Sequence, residues 1–381
     1  MKIVIVLLTH IDNLPPARNL LLSLSRQKIG FDLVTMFSEA LPKEIKDDPS
    51  INVYDVQNFF PKSKFASLIC RFKRRKKVRK ILRSIINKDD VIWTVTDYDT
   101  MEVGKFLSKC RHVMQLMELV KDIPIFDEIP LIKAHLQKYA KHAELLIVPE
   151  YNRAHIQKSY WNLKQVPVVL PNKPHINLEL KQDICSISPK AGEVLRQIGD
   201  KKIILYQGTF GYERVLDQFI EAVHLLGDDY CVLLMGRDDA ELNAILQKYP
   251  DVFFIPFISA PNHLLITQKA HIGILSYVNV NNIRHYDPLN AIYCAPNKIY
   301  EYACFGIPMI GNDVPGLSVP FKQYNMGVCS DLSADAIAES IKYIEEHYIQ
   351  MSENCKNFYS DTDFDKIVYK IVKRLKSKTS N

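Results

Sequence analysis

The sequence contains no run of about 18 apolar residues, the length a helix needs to cross a bilayer. Its first apolar run, Ile3 to Leu8, is six residues long and ends at Thr9-His10 with Asp12 close behind. That is too short for a signal-peptide core and lacks a small-residue cleavage site, so export is not expected. The run reads as a buried first strand. The eight cysteines, at 70, 110, 185, 231, 294, 304, 329 and 355, never fall at CxxC-type zinc spacing. In a chain of this size that is not exported they read as reduced core thiols. The eleven histidines form no HExxH pair. Metal catalysis has no sequence support, and no metal is expected.

What is present is an ordinary globular composition of 381 residues, 47% hydrophobic and 24% charged. The apolar fraction is ample for a core and argues against disorder. The length suits two domains or slightly more. The net charge of +6 is local in origin. Eight basic residues lie between Arg71 and Lys80, and removing them from the 49 leaves 41 positive against 43 negative.

Short apolar runs alternate with helical patterns. Ile3–Leu8, Phe31–Phe37, Ile51–Val56, Val91–Val95, His112–Leu116 and Leu145–Val148 read as strands. Helices are predicted at Asn19–Gln27, Phe65–Ile86 and Pro130–His142. This grammar means βα units and a parallel sheet. Pro167–Pro174 carries three prolines in eight residues and reads as a last strand running into a linker, which places a boundary near 172. The second half repeats the grammar. Strands are expected at Lys202–Tyr206, Cys231–Met235, Val252–Pro256, Ile272–Leu275 and Met309–Gly311, and a helix at Val215–Leu226. Asp363–Lys376 forms an amphipathic helix with Ile367, Ile371, Val372 and Leu375 on one face. The fold class is α/β, with two doubly wound, Rossmann-like halves facing each other across a cleft. Ligands of such sheets bind at the carboxyl ends of the strands.

The densest chemical signal is Ala295-Pro296-Asn297-Lys298-Ile299-Tyr300-Glu301, running on to Gly306-Ile307-Pro308. Pro296 suits a first helical turn and Gly306 a C-terminal cap. On a helix Asn297 and Glu301 share a face, with Lys298 beside them. A helix start attracts anions, an ammonium adds charge for a phosphate, and a carboxylate one turn in suits a ribose diol. The alternative is a capped surface helix with a chance Lys-Glu pair.

The segment PNKIYEYACFGIPMI resembles the "P-x-K-x-x-E-Y-x-A-x-G-x-P-x-I" segment of GT-B-fold glycosyltransferases. The resemblance is strongest to the large retaining family, glycosyltransferase family 4-like, that builds bacterial polysaccharides and glycolipids. Other landmarks follow in order. ILYQGTFGYERVLDQFIEAV resembles the family's strand, glycine loop and "K-G-x-D-x-x-I-x-A" helix. VLLMGRDD resembles its second strand-glycine turn, and KAHIGILSY its "A-D-[IV]-x-[IV]-x-P-S" strand. NLPPARNLLLSLSRQKIGFDLVTMF resembles its opening segment.

The resemblance implies a C-terminal domain that binds a nucleotide-sugar. Glu301 then matches the ribose-binding glutamate, with Asn297 beside it. Gly208, Thr209 and Gly211 match the turn whose N–H groups approach the diphosphate. Arg214 aligns with the basic residue of the "K-G" pair and Lys298 with the lysine of "P-x-K"; both would neutralise the leaving diphosphate in place of a metal. Gly236 and Arg237 would lie near the base or ribose. The sequence departs from the pattern at Tyr293, where the family has a first glutamate, at Thr209, where it has an arginine, and at Val215, where it has a glycine. Ser276–Ala295 should lie over the donor, with Tyr277, Asn282, His285, Asp287 and Asn290 as candidates; a polar surface loop is the alternative. The implied domains are 1–171 for the acceptor, 172–357 for the donor, and a tail, 358–381, crossing back to the first.

In the N-terminal half, Gln115 and Glu118 follow a strand, and Glu118 is the candidate general base if the enzyme inverts. If it retains, the leaving phosphate takes the acceptor proton and no base is required. A solvated helix-cap carboxylate is the alternative for Glu118. His10 and Asp12 after the first strand, and Asp97 and Asp99, are further candidates, with loop capping favoured for the last two. The Arg71–Lys80 run is either a solvated helix face or a patch for anionic lipid, with Phe65, Leu68, Ile69 and Phe72 as its apolar partners. Nothing supports nucleic acid. The expected function is transfer of a sugar from a nucleotide diphosphate, UDP before GDP, to a saccharide or lipid-linked saccharide in bacterial surface glycan synthesis. The expected place is cytoplasmic, peripheral on the inner face of the membrane. The rivals are a GT-B sugar-nucleotide epimerase and a catalytically silent GT-B binding protein.

Overall fold

The computed structural model describes residues 1–57, 64–126, 129–176, 182–211, 214–278 and 289–377. The chain forms two compact units. One holds residues 1–175 and the C-terminal segment from Asp363; the other holds Ile176–Ile283 and Pro288–Thr362.

In the first unit the strands are β1 (Ile3–Leu7), β2 (Phe31–Thr35), β3 (Ile51–Asp55), β4 (Val91–Thr94), β5 (Arg111–Gln115), β6 (Ile123–Phe126), β7 (Ile129–Ala134), β8 (Leu145–Val148) and β9 (Val168–Val169). Seven of them make a parallel sheet in the order β3-β2-β1-β4-β5-β8-β9. A continuous apolar strand is what a sheet covered on both faces demands. Accordingly Ile3, Ile5 and Leu7 enter one core, while Val4, Val6 and Leu8 enter the other. The helix Pro15–Arg26 starts on two prolines, whose fixed φ and missing N–H suit a first turn. It packs Leu20, Leu21 and Leu24 into the first core. The C-terminal helix Phe364–Ser377 fills the same core with Phe364, Val368, Ile371, Val372 and Leu375, spaced along one face.

The second unit has β10 (Lys202–Gly208), β11 (Tyr230–Gly236), β12 (Phe253–Pro256), β13 (Ile272–Leu275), β14 (Met309–Gly311) and β15 (Gly327–Cys329). All are parallel, in the order β12-β11-β10-β13-β14-β15. The helices Asp217–Leu226 and Lys298–Cys304 follow β10 and precede β14. The architecture is GT-B, two Rossmann-like α/β sheets.

One predicted element is replaced. Instead of a helix over 130–142, the chain makes the antiparallel pair β6-β7 and only a short helix, Gln137–Ala140. The apolar-polar pattern of this stretch fits a short helix or a two-stranded ribbon, and pairing with β6 selects the ribbon. The strand expected in Pro167–Pro174 shrinks to the two residues of β9.

Candidate functional site

The carboxyl ends of β10 and β11 set the site of the second unit. Gly208 and Gly236 stand opposite each other at the last register position. A Cβ on Gly236 would lie 2.1 Å from the Gly208 carbonyl oxygen, so only glycine fits there. Gly208 has φ +139, and a Cβ on it would lie 2.9 Å from Nζ of Lys298. Bare backbone and an ammonium therefore meet at the mouth of the sheet. Just past it, the Tyr206 hydroxyl donates to the Thr209 carbonyl, which pins the turn.

Glu301 lies one turn into the helix Lys298–Cys304 and is only 2% exposed. Gln207 Nε2 donates to its Oε2 at 2.6 Å, and His263 Nε2 stands 3.4 Å from its Oε1. Gln207 is itself fixed, since its Oε1 accepts from the Thr267 hydroxyl at 2.7 Å. Burial pushes the Glu301 carboxyl upward. The charge and hydrogen bond of His263, then Lys298 and Gln207, outweigh it and hold the group below its ordinary value. Glu301 is thus an ionised carboxylate inside the protein at neutral pH. His263 Nδ1 is buried without a hydrogen-bond partner among the described residues.

Two cations share one aromatic platform. Arg214 lies over the Tyr277 ring at 4.2 Å, and Lys298 Nζ stands 5.7 Å from the same ring and 5.0 Å from that of Tyr206. Tyr277 is held by Asn312, whose amide accepts from the Tyr277 N–H at 2.8 Å and donates to its carbonyl at 2.7 Å. Val215, at the family's glycine position, donates its N–H to the buried Ser276 hydroxyl at 3.0 Å, which ties the Arg214 segment to the loop after β13.

Gly208, Arg214, Tyr277, Lys298 and Glu301 are therefore drawn together within one unit. Asn297 caps the helix through its backbone, accepting from the Tyr300 and Glu301 N–H groups, and Pro296 lies outside the helix rather than in its first turn. Arg237 is exposed and lies over the Phe257 ring at 5.1 Å. Among the described residues, nothing lies within 4 Å of where a Cβ on Gly211 would stand. Asn290 sits in the short helix Leu289–Ile292. Asn282, His285 and Asp287 lie outside the described residues. Gln207, His263, Thr267, Tyr206 and Asn312 were not singled out in the sequence. Only Gln207 carried a hint, by preceding the Gly208 turn.

In the first unit Gln115 is structural, accepting from the buried Trp93 indole at 3.0 Å. Glu118 is half-exposed and 3.4 Å from the buried Arg153 guanidinium. His10 accepts from the Asp12 N–H at 3.4 Å as a turn cap, and Asp12 faces Arg18 at 3.6 Å. Asp99 accepts from the Leu8 and Thr96 N–H groups at 2.8 and 2.9 Å, and Asp97 opens the same capped helix. The basic run divides. Arg71, Arg74 and Arg75 surround the fully buried Glu102 at 2.8, 3.2 and 3.3 Å. Ile69, Phe72, Lys73, Lys76 and Lys80 are exposed on the other side of the helix. The side chains of Phe65 and Leu68 lie outside the described residues. No group of three or more His, Cys, Asp or Glu suited to a metal occurs among the described residues.

Residues 189–360 match the family model described as "Glycosyl transferases group 1". No curated protein matches the chain at the level of sequence. Among solved structures, the sucrose-phosphate synthase of Thermosynechococcus elongatus is similar with a TM-score of 0.68 and 15% identity, covering 100% of this chain and 99% of its own. Anabaena HepE, solved in complex with UDP and glucose, gives 0.66 at 13% identity, covering 99% and 100%. S. aureus MnaA, solved with UDP, gives 0.62 at 13%, covering 100% and 97%. At such identities these likenesses establish the fold.

Proposed function

From a chain whose residues 189–360 match the model of the group 1 glycosyl transferases, we propose an enzyme that moves a sugar from a UDP-sugar to a hydroxyl of a saccharide or lipid-linked saccharide. The observation that carries this reading is the buried, ionised Glu301 beside two cations stacked on Tyr277, at the mouth of a sheet stripped of side chains by Gly208 and Gly236. A ribose diol donates two hydrogen bonds to such a carboxylate. The diphosphate lies along the Gly208 turn, against Lys298 and Arg214. UDP is favoured over GDP because HepE and MnaA were both solved with UDP.

The bond from the sugar C1 to the diphosphate oxygen breaks as the acceptor oxygen bonds to C1. Lys298 and Arg214 stabilise the charge that builds on the departing diphosphate, without a metal. In a retaining reaction the acceptor proton passes to a departing phosphate oxygen; in an inverting one Glu118 takes it. The exposed stripe of Ile69, Phe72, Lys73, Lys76 and Lys80 suits an anionic membrane surface, where bacterial surface glycans are built on lipid carriers. No described helix is long and apolar enough to cross a membrane.

The test is thermal melting with a panel of nucleoside diphosphates in EDTA. UDP at about 100 times its dissociation constant should stabilise the wild type by roughly 2.7 kcal/mol and Glu301→Ala much less. No response to any nucleotide would sink the reading and favour a silent binding protein. Product that remains attached to the nucleotide, in a follow-up with donor sugar, would favour an epimerase.

A further inference from the structure

The first unit holds a cavity of about 380 Å³ that sugar transfer, as drawn above, leaves unused. It opens among the helix Lys64–Ile85, the turn after Asp97–Val103, β7 and the helix Gln137–Ala140. Its size is that of a small-ligand site. Arg75, Arg79, Lys105, Lys133, His135 and Lys138 line it, and among the described residues no carboxylate does. The buried side chains of Leu136 and Tyr139 close its floor.

Among the described residues these cations are only partly neutralised. Arg79 Nε donates to the Val103 carbonyl at 2.9 Å, and its Nη2 lies 2.8 Å from where a Cβ on Gly104 would stand. Gly104, at φ +59, thus lets the guanidinium lie against bare backbone. Glu102 is within ion-pair distance of Arg75 but is shared with Arg71 and Arg74. Burial pushes the Arg75 guanidinium down; Glu102 opposes this, and the Arg71 and Arg79 charges add to it. Asp122, outside the lining, touches Lys133 at 3.8 Å and His135 at 3.3 Å. Arg79, Lys105 and Lys138 have no carboxylate within ion-pair distance among the described residues. Like charges gathered around one cavity repel one another, and an anion relieves that repulsion.

We infer that this cavity binds a diphosphate group, carried by a soluble molecule or by a lipid headgroup. The cations converge from several separate elements, which suits an anion with several oxygens and more than one charge. This site stands apart from the donor chemistry and does not depend on it.

The experiment titrates inorganic pyrophosphate into the full chain by calorimetry, and the change caused by substitutions in the cavity reports that site apart from the donor site. Wild type is compared with the doubly substituted Lys105→Glu/Lys138→Glu and Lys105→Arg/Lys138→Arg chains. We expect pyrophosphate to bind wild type and the arginine pair. Affinity should fall about tenfold or more in the glutamate pair, with the melting response to UDP unchanged. Should the glutamate pair melt early, Lys105→Ala/Lys138→Ala carries the same comparison. Equal affinity in wild type and a folded charge-loss variant, or no pyrophosphate binding to wild type, would overturn the proposal. Phosphatidylglycerol vesicles with and without a polyprenyl diphosphate then separate the sources. Extra retention on the diphosphate vesicles that the glutamate pair loses assigns the lipid headgroup. Equal retention on both, with pyrophosphate binding intact, assigns a soluble diphosphate.

Discussion

At the scale of single residues, the site turns on keeping a carboxylate charged where water is excluded. Glu301 achieves this because His263, Lys298 and Gln207 all favour its ionised form. A carboxyl group held below its ordinary value contributes stability above the unfolded value of about 4.5, and that contribution is lost as pH falls through the lower folded value. Glu301→Gln should therefore be less stable than wild type by about 2 kcal/mol at pH 7. The gap should close as pH drops below about 4.5. Urea midpoints of both chains between pH 3.5 and 7 check this, and a gap that widens on acidification would contradict the charge state assigned to Glu301. Glu301 and Lys298 were legible in the sequence because they sit on one short helix at fixed spacing. His263 was not, because it is 38 positions before Glu301 and only the tertiary packing delivers its imidazole there.

At the scale of elements, two segments far apart in the chain complete the first unit. The helix Phe364–Ser377 inserts five apolar side chains into the core built by β1, β2 and the helix Pro15–Arg26. Arg26 holds its start through Asp365, at 3.1 and 2.7 Å, and Arg111 holds its end by donating to the Leu375 carbonyl at 3.0 Å. Burying five such side chains is worth on the order of 10 kcal/mol before entropy, comparable to the whole stability of a domain. A chain ending at Thr362 should therefore lose the first unit. Both tryptophans, Trp93 and Trp161, are buried in that unit, so their emission should shift red at 25 °C in the truncated chain. Unchanged emission would show that the helix is dispensable. Elements were the most legible level where strands were continuous apolar runs. Legibility failed at 130–142, where an apolar-polar pattern fits a short helix or a ribbon equally and only the pairing with β6 decides.

At the scale of the whole molecule, the residues proposed to bind the donor come from segments scattered through one unit: the end of β10, the segment at Arg214, the loop after β13, and the helix Lys298–Cys304. A nucleotide bound there should slow amide hydrogen exchange in 206–214, 263–277 and 297–301 together. In the Lys105→Glu/Lys138→Glu chain, exchange around the basic cavity, in 75–79 and 104–105, should stay as it was. Mass-spectrometric exchange with and without UDP reads both sets at once. Protection spread over the first unit's cavity and absent from the second unit's sheet ends would place the nucleotide in the wrong half of the protein.

The sequence by itself determined the α/β alternation, the two Rossmann-like sheets and the helix that carries Lys298 and Glu301. These follow from local period, β-branched runs and proline and glycine punctuation, which act over a few residues. Only the tertiary structure decided which charges are used and which are merely structural. The basic run reads as one patch along the chain. Folding turns Arg71, Arg74 and Arg75 inward onto Glu102, leaves Lys73, Lys76 and Lys80 outside, and lends Arg75 and Arg79 to a cavity whose other cations lie far along the sequence. A charge acts over a few ångströms of space through whatever dielectric surrounds it, and neither that distance nor that burial is written in the order of residues.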